Sequence, residues 1–242
     1  MKIKEMKSRL IILFLLFLTF QNCIISQTLV KTDKKMYGLS GNVSLLSETT
    51  IKMTYDENWN FSIDTIEPYS IISDRYFDLE GIITKVEYII KDSIKIGKTI
   101  FNYSNPKSKI FSYQYDQNGE KIGYSEFLST KDSVTEIRTV NIKTNKTTSK
   151  TFTKIKNGQL LWQKSSGTQH NIYSEYVYSR NNDGLETEIK MVFGPKKNLK
   201  ERTLTVKYLE FDKFGNWTKR VEYNPTEVKQ CILKTRKIIY YE

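Results

Sequence analysis

Apolar and polar residues alternate with a period of two along most of the chain. Val86, Tyr88 and Ile90 oppose Lys85 and Glu87, and Leu204, Val206 and Tyr208 oppose Thr203, Thr205 and Lys207. Phe111, Tyr113 and Tyr115 stand against Ser112 and Gln114. Trp217, Val221 and Tyr223 share a face with Lys219, against Thr218, Arg220 and Glu222. Successive side chains of a strand point to opposite faces, so this is the pattern of strands with one buried face. Beyond the N-terminal segment, no stretch of a dozen residues follows the 3.6 period of a helix. The chain has no alanine, the best helix former, and uses Thr, Ile, Tyr and Phe heavily, which favour pleated surfaces. The predicted class is all-β.

The strands end in a recurring turn. An aromatic precedes Asp at Tyr55-Asp56, Phe77-Asp78, Tyr115-Asp116 and Phe211-Asp212, and glycine follows three residues later at Gly81, Gly119 and Gly215. Asn216 follows the last of these, and weaker copies of the turn end at Gly158 and Gly184. An aspartate accepts backbone N–H bonds two residues on, and glycine enters the positive-φ region without a Cβ clash. The spacing from Gly81 to Gly119 is 38 residues and from Gly119 to Gly158 is 39, which suggests paired units of about twenty residues. Fixed-period hairpins stack edge to edge, so the predicted architecture is an antiparallel meander forming a twisted or curled open sheet.

The aromatic-Asp-x-x-Gly-Asn turn resembles the YD repeat of Rhs-type proteins and, more loosely, MORN-type repeats. The ending from Tyr208 through Gly215-Asn216 to Tyr223, closing on Ile238 to Glu242, is similar to the C-terminal signature of small secreted YD-repeat proteins of Bacteroidetes. Tyr37-Gly38-Leu39 with Gly41, Val43 and Glu48 resembles the opening of the same group. The middle, roughly 89 to 175, departs from the pattern. The resemblance implies an extracytoplasmic β-scaffold, generally without an assigned activity.

The N-terminus reads as an address. Lys2, Lys4, Lys7 and Arg9 against Glu5 precede the apolar run Leu10 to Phe20, broken only by Thr19. Eleven residues at about 1.5 Å each fall short of a bilayer core of about 30 Å, so residues 1–26 are predicted to be a secretory signal peptide and 27–242 a single domain. Cleavage after Ser26 and lipidation at Cys23 are both open. Either leaves Cys231 as the only cysteine free to pair, so the fold must rest on its core. Removing the leader takes four basic residues and one acid from a total of 38 and 27, which leaves a net charge of +8. Such a surface is compatible with acidic glycans or lipid phosphates, while export argues against a nucleic-acid partner.

Chemistry is sparse. The lone His170 lies in a polar loop, no serine sits in a G-x-S-x-G elbow, and there is no phosphate-binding glycine loop. The turn aspartates lack the alternating oxygens and distal Glu of a calcium loop. Asp64-Thr65-Ile66, Asp92-Ser93-Ile94 and Asp132-Ser133-Val134 match a short O-glycosylation pattern of secreted Bacteroidetes proteins. The expectation is a non-catalytic, secreted, periplasmic or outer-membrane-attached scaffold. Its partner is an envelope protein or glycan, met through an open face or sheet edge, and it carries no catalytic, cofactor or metal residues. A secreted carbohydrate-active hydrolase and a toxin-neutralising immunity protein are the alternatives.

Overall fold

The computed structural model describes residues 33–56, 61–63, 70–90, 94–103, 109–131, 133–168, 172–226 and 230–242. The leader with Cys23, His170, and the acceptor residues Thr65 and Ser93 lie outside the described residues. Among the described residues a short helix, α1 (Asp33–Met36), precedes the strands. The strands are β1 (Val43–Tyr55), β2 (Phe61–Ile63), β3 (Ser70–Phe77), β4 (Ile83–Ile90), β5 (Ile94–Phe101), β6 (Ile110–Asp116), β7 (Lys121–Lys131) and β8 (Val134–Asn141). They continue with β9 (Lys146–Lys156), β10 (Gln159–Gly167), β11 (Ile172–Arg180), β12 (Glu186–Pro195), β13 (Lys200–Phe211), β14 (Trp217–Tyr223) and β15 (Gln230–Tyr240).

All fifteen strands belong to one antiparallel sheet in which β3 to β15 follow chain order. The sheet is not open. β1 pairs with β3 on one side and with β15 on the other, in a register running from Val43↔Tyr240 to Thr54↔Gln230. β1 and β3 to β15 thus close a fourteen-stranded barrel, and the short β2 extends the pairing of β1 beyond the end of β3. Closure satisfies the row of N–H and C=O groups that an open edge would leave unpaired. The expected twisted or curled open sheet is therefore corrected to a barrel. Alternation within a strand carries no information about a partner nearly the whole chain away.

The repeat is corrected as well. Gly81 to Gly119 crosses three strands, as does Gly119 to Gly158, whereas Gly158 to Gly184 and Gly184 to Gly215 each cross two. An odd number of antiparallel strands ends at the opposite rim, so the Asp116 turn lies at one end of the barrel and the Asp78 and Asp212 turns at the other. No unit of fixed period stacks. What recurs is a local solution to one problem, a tight hairpin. At Asp78, Asp116 and Asp212 the Oδ1 atom accepts N–H bonds from residues two and four ahead, at 2.9–3.0 Å. Asn181 does the same before Gly184. The glycine at the fourth position has φ of 78 to 81° in all four turns, the left-handed residue that completes a bulged hairpin. Gly158 instead follows Asn157 (φ 53°) in a two-residue turn between β9 and β10. Asp56 ends β1 and is exposed.

The two faces of the sheet are divided unexpectedly. β9 shows it most clearly: Ser149, Thr151, Thr153 and Ile155 are buried, while Lys146, Lys150, Lys154 and Lys156 are exposed. The buried side is the lumen. Ser112, Ser125 and Thr139 align across β6 to β8, and Thr151, Ser165 and Ser174 across β9 to β11. They bond laterally through Gln114 to Ser125 (2.8 Å), Ser125 with Thr139 (3.3 Å) and Ser165 to Thr151 (3.1 Å). Small hydroxyl side chains leave room for opposing walls to approach, and a cluster of Leu46, Phe77, Val86, Tyr88, Phe101 and Ile137 joins β1, β3, β4, β5 and β8 inside. Apolar side chains thus fill this part of the lumen.

In β6 the tyrosines point outward. Tyr113 and Tyr115 lie under the ammonium groups of Lys121 (3.9 Å) and Lys98 (5.5 Å), and Ser112 and Gln114 are the buried residues. In β14 it is Arg220 and Glu222 that face in. Val221 faces out but is also buried, in a second cluster with Met53, Cys231 and Leu233 on which Phe61 of β2 packs.

Candidate functional site

A cavity of about 210 Å³ occupies the lumen at the α1 end, lined from β1, β3 and β10 to β15. Inward positions recur every second residue within each regular stretch. A bulge beside Glu210 and Phe211 lets Trp217 face in together with Arg220 and Glu222, so residues of eight strands meet the same space. Into it project Glu48 (β1), Arg75 (β3), Arg180 (β11), Glu186 (β12), Arg220 and Glu222 (β14), and Lys234 and Arg236 (β15). These form one network. Arg220 bonds Glu186 at 2.8 Å and Glu222 at 2.5 Å, and Lys234 pairs with Glu222 at 2.8 Å. Arg180 holds Glu186 (2.8 Å) and the carbonyls of Leu160 and Gly184. Across the closing seam Arg236 donates from Nε to Glu48 (2.9 Å) and from Nη1 to the Tyr37 carbonyl (2.8 Å).

Trp217 forms the roof. It is 3% exposed and stacks beneath Arg236 (3.5 Å) and Arg220 (4.4 Å). A flat guanidinium suits both a ring face and a carboxylate, which explains arginine rather than lysine at these positions. Arg75 is 2% exposed and lies 4.8 Å from the Tyr37 ring. Its Nε and Nη1 have no hydrogen-bond partner among the described residues, and neither has the Nε of Arg180 or of Arg220.

Burial would raise the Glu48 carboxyl, but Arg236, with Arg75, Lys234 and Arg220, holds it far below the usual range. Glu186 is likewise lowered against burial by Arg220 and Arg180. Arg236 comes down to about 10 through burial and the neighbouring Arg220 and Arg75, in spite of Glu48. Burial and the Glu186 charge raise the Tyr178 hydroxyl well above its ordinary value. Below the charges the wall turns apolar, with Ile189, Leu204, Met191, Ile232 and Tyr176. The arrangement is a cationic pocket floored by apolar side chains.

Most of the residues marked by sequence pattern lie elsewhere. Asp78, Gly81, Asp212 and Gly215 shape the rim above the pocket, Asp116 and Gly119 the far rim, and Gly158 a hairpin. Of the turn residues only Gly184 borders the cavity, whereas Tyr37, Gly38 and Glu48 of the opening segment line it. Asn216 acts as a structural latch. It is fully buried, bonds both the Ser40 amide (2.6 Å) and carbonyl (3.0 Å), and accompanies Tyr240 (2.7 Å). It thereby ties the N-terminal segment to the β13–β14 turn and the end of β15. Among the described residues, no group of three or more His, Cys, Asp or Glu side chains forms a metal site.

The fold and pocket together define a closed β-barrel with a charged interior cavity and a charged outer surface. No protein family matches the sequence, and no curated protein matches it either. The likeness to YD-repeat and MORN-type proteins is thereby corrected, since neither a family match nor a repeating unit accompanies it. Among solved structures the chain is similar to a porin-like protein from Bacteroides uniformis, at 10% identity over 81% of this chain and 98% of that one, with a TM-score of 0.46. It is also similar to a LolA superfamily protein from Nitrosomonas europaea, at 7% identity over 91% and 95% of the two chains and a TM-score of 0.26. At these scores the likeness is loose, and the reading of the site rests on the chain's own residues.

Proposed function

We propose that this chain is a non-catalytic binding protein of the bacterial envelope, a water-facing barrel that holds a small ligand in its lumen. The observation that carries the reading is the converging interior cavity, where eight charged side chains from both walls meet against an apolar floor. The export reading of residues 1–26 supports the compartment. No helix among the described residues is long and apolar enough to cross a membrane, so the strands decide the relation to lipid. A membrane-spanning barrel shows lipid an apolar band about 25 Å tall, and a Lys or Arg at its midplane costs about 2–4 kcal/mol. Here the outward face carries ion pairs such as Lys150–Glu136 (3.3 Å), Lys190–Glu188 (3.5 Å) and Lys85–Glu87 (3.5 Å) on well-separated strands. The lysines of β9 recur along its whole length, which leaves no apolar band there.

Binding is favoured over hydrolysis by the state of the carboxylates. A glycosidase needs one carboxyl that keeps its proton near neutral pH. Glu48 and Glu186 are both held ionised by arginines at bonding distance. The test uses the full chain, expressed with its leader and purified after export. It is expected to be monodisperse without detergent, to stay in the aqueous fraction on vesicle flotation, and to release one small molecule per chain on solvent extraction. A need for detergent, or conductance steps in a planar bilayer, would refute the water-facing barrel. Turnover of an envelope glycan would refute the non-catalytic reading.

A further inference from the structure

We propose that the pocket binds a small organic anion, a carboxylate or phosphate group on an apolar body, with its charge seated among Arg75, Arg220 and Arg236. The inference rests on the reading of the lumen as a binding cavity and names the chemistry of what enters it.

Charge balance is the first support. The cavity is lined by five cations and three carboxylates, an excess of two positive charges. Buried charge is costly unless paired, and the three carboxylates are already shared: Glu222 between Arg220 and Lys234, Glu186 between Arg220 and Arg180, Glu48 with Arg236. Arg75 bonds the Tyr37 side chain and feels the Glu48 charge, but among the described residues no carboxylate lies within ion-pair distance of it. One phosphate or carboxylate at this place lowers the excess directly.

Hydrogen bonding is the second. An arginine cannot shed its proton, so its N–H groups need acceptors when buried. Arg75, almost wholly enclosed, has two N–H groups without a partner among the described residues, and two neighbouring arginines have one each. Arg75 lines the cavity, so these donors stand at its wall. Charge-assisted bonds of this type are the strong ones.

Shape is the third. The cavity, about 210 Å³, is of a size for a small molecule rather than a chain or a protein segment. The floor of Leu204, Ile189 and Met191 fits such a body, and a headgroup placed at the arginines directs it there.

The exported, purified chain is titrated calorimetrically with 3-phenylpropionate and phenyl phosphate, and with 3-phenylpropan-1-ol and benzyl alcohol as neutral counterparts. At least one anion is expected to bind one per chain and ten times tighter or more than its neutral counterpart. It should also change the emission of Trp217, a signal lost in Trp217→Phe. Arg75→Met should weaken the anion tenfold or more, and Arg75→Lys should retain part of the affinity. Equal affinity for anions and alcohols overturns the anion inference and leaves the binding cavity standing. Failure of all four probes at millimolar concentration overturns both. Anion binding that ignores Arg75→Met and leaves Trp217 unchanged places the anion outside the lumen and overturns the inference. If the Arg75 variants do not fold, the comparison of anion with alcohol on the unaltered protein still decides it.

Discussion

Replacing Glu48 by glutamine tests whether the closing seam is held by charge. Glu48 is 6% exposed and stands opposite Arg236 in the β1–β15 register, the pairing that turns a sheet into a barrel. Glutamine keeps the shape and one acceptor but not the charge, and it raises the cation excess of the lumen from two to three. Breaking a buried pair by removing one partner costs about 3–5 kcal/mol, and the retained hydrogen bond places this substitution at about 3. A chain of this size loses about 2–4 °C of Tm per kcal/mol, so the expected drop is about 6–12 °C at pH 7. The pH dependence gives a second reading. The folded-state pKa of Glu48 lies far below its ordinary value of 4.5, because Arg236, Arg75, Lys234 and Arg220 outweigh the effect of burial. A carboxyl lowered in the fold contributes its full stabilisation above the unfolded pKa and loses it as pH falls toward the folded value. The wild type should therefore lose stability faster than Glu48→Gln below about pH 4.5, and the gap between their Tm values should narrow. Glu186 is present in both proteins, so its own acid response cancels in the comparison. A gap under about 2 °C at pH 7, or one that stays constant as acid is added, would refute charge at the seam.

Two further outcomes follow from residues at the rims and on the outer cluster. Asn216→Ala removes the side-chain bonds of a fully buried amide and leaves the Ser40 amide and carbonyl without their partner, while Tyr240 keeps its bond to Asp212. It should cost about 2–4 kcal/mol by denaturant unfolding, against about 1 kcal/mol for Asp116→Ala, whose two turn bonds are exposed; equal costs would sink this account of the latch. The Cys231 thiol is pushed up to about 11 by burial, so it stays protonated at pH 7 and should react with a disulfide reagent only after unfolding. Fast labelling of the native protein would show that the Met53–Val221–Leu233 cluster does not cover it.

Strand content is legible in the sequence because alternation is a local property, and the turns are legible because an Asx side chain with a left-handed glycine is a local device. Closure is not. β1 and β15 pair across nearly the whole chain, and nothing in Leu46 or Ile238 announces the other. Alternation misleads about the inward face for a related reason. In an open sheet the apolar side is the buried one, but in a closed barrel the lumen is buried whatever lines it. Thr151 and Thr153 on β9 are thus inside, while Phe152 sits between lysines on the outer face. The middle of the chain, where the turn signature fades, is where small hydroxyl residues line the lumen.

One signal for the pocket is nevertheless present in the sequence. Basic positions in this chain are overwhelmingly lysine, and only seven are arginine. Four of those seven, Arg75, Arg180, Arg220 and Arg236, line a single cavity, although they come from four different strands. Lysine suits a solvated face, where its flexible stem and hydrated ammonium cost little. Arginine suits a place where a cation must give up water and still satisfy several donors at fixed angles. Arginine is thus concentrated at the cavity, where four of its five cations are arginine and one is Lys234, although Arg138 shows that the preference does not follow the barrel wall everywhere. Outward bases such as Lys85, Lys150 and Lys190 each pair with a neighbouring carboxylate, whereas the inward cations share theirs. Arg220 and Arg236 stack on Trp217, Arg75 lies against Tyr37, and Arg75, Arg180 and Arg220 keep donors to spare. That surplus of fixed donors, held by a seam that Glu48 helps to close, is what makes the lumen a place for an anion rather than simply a polar core.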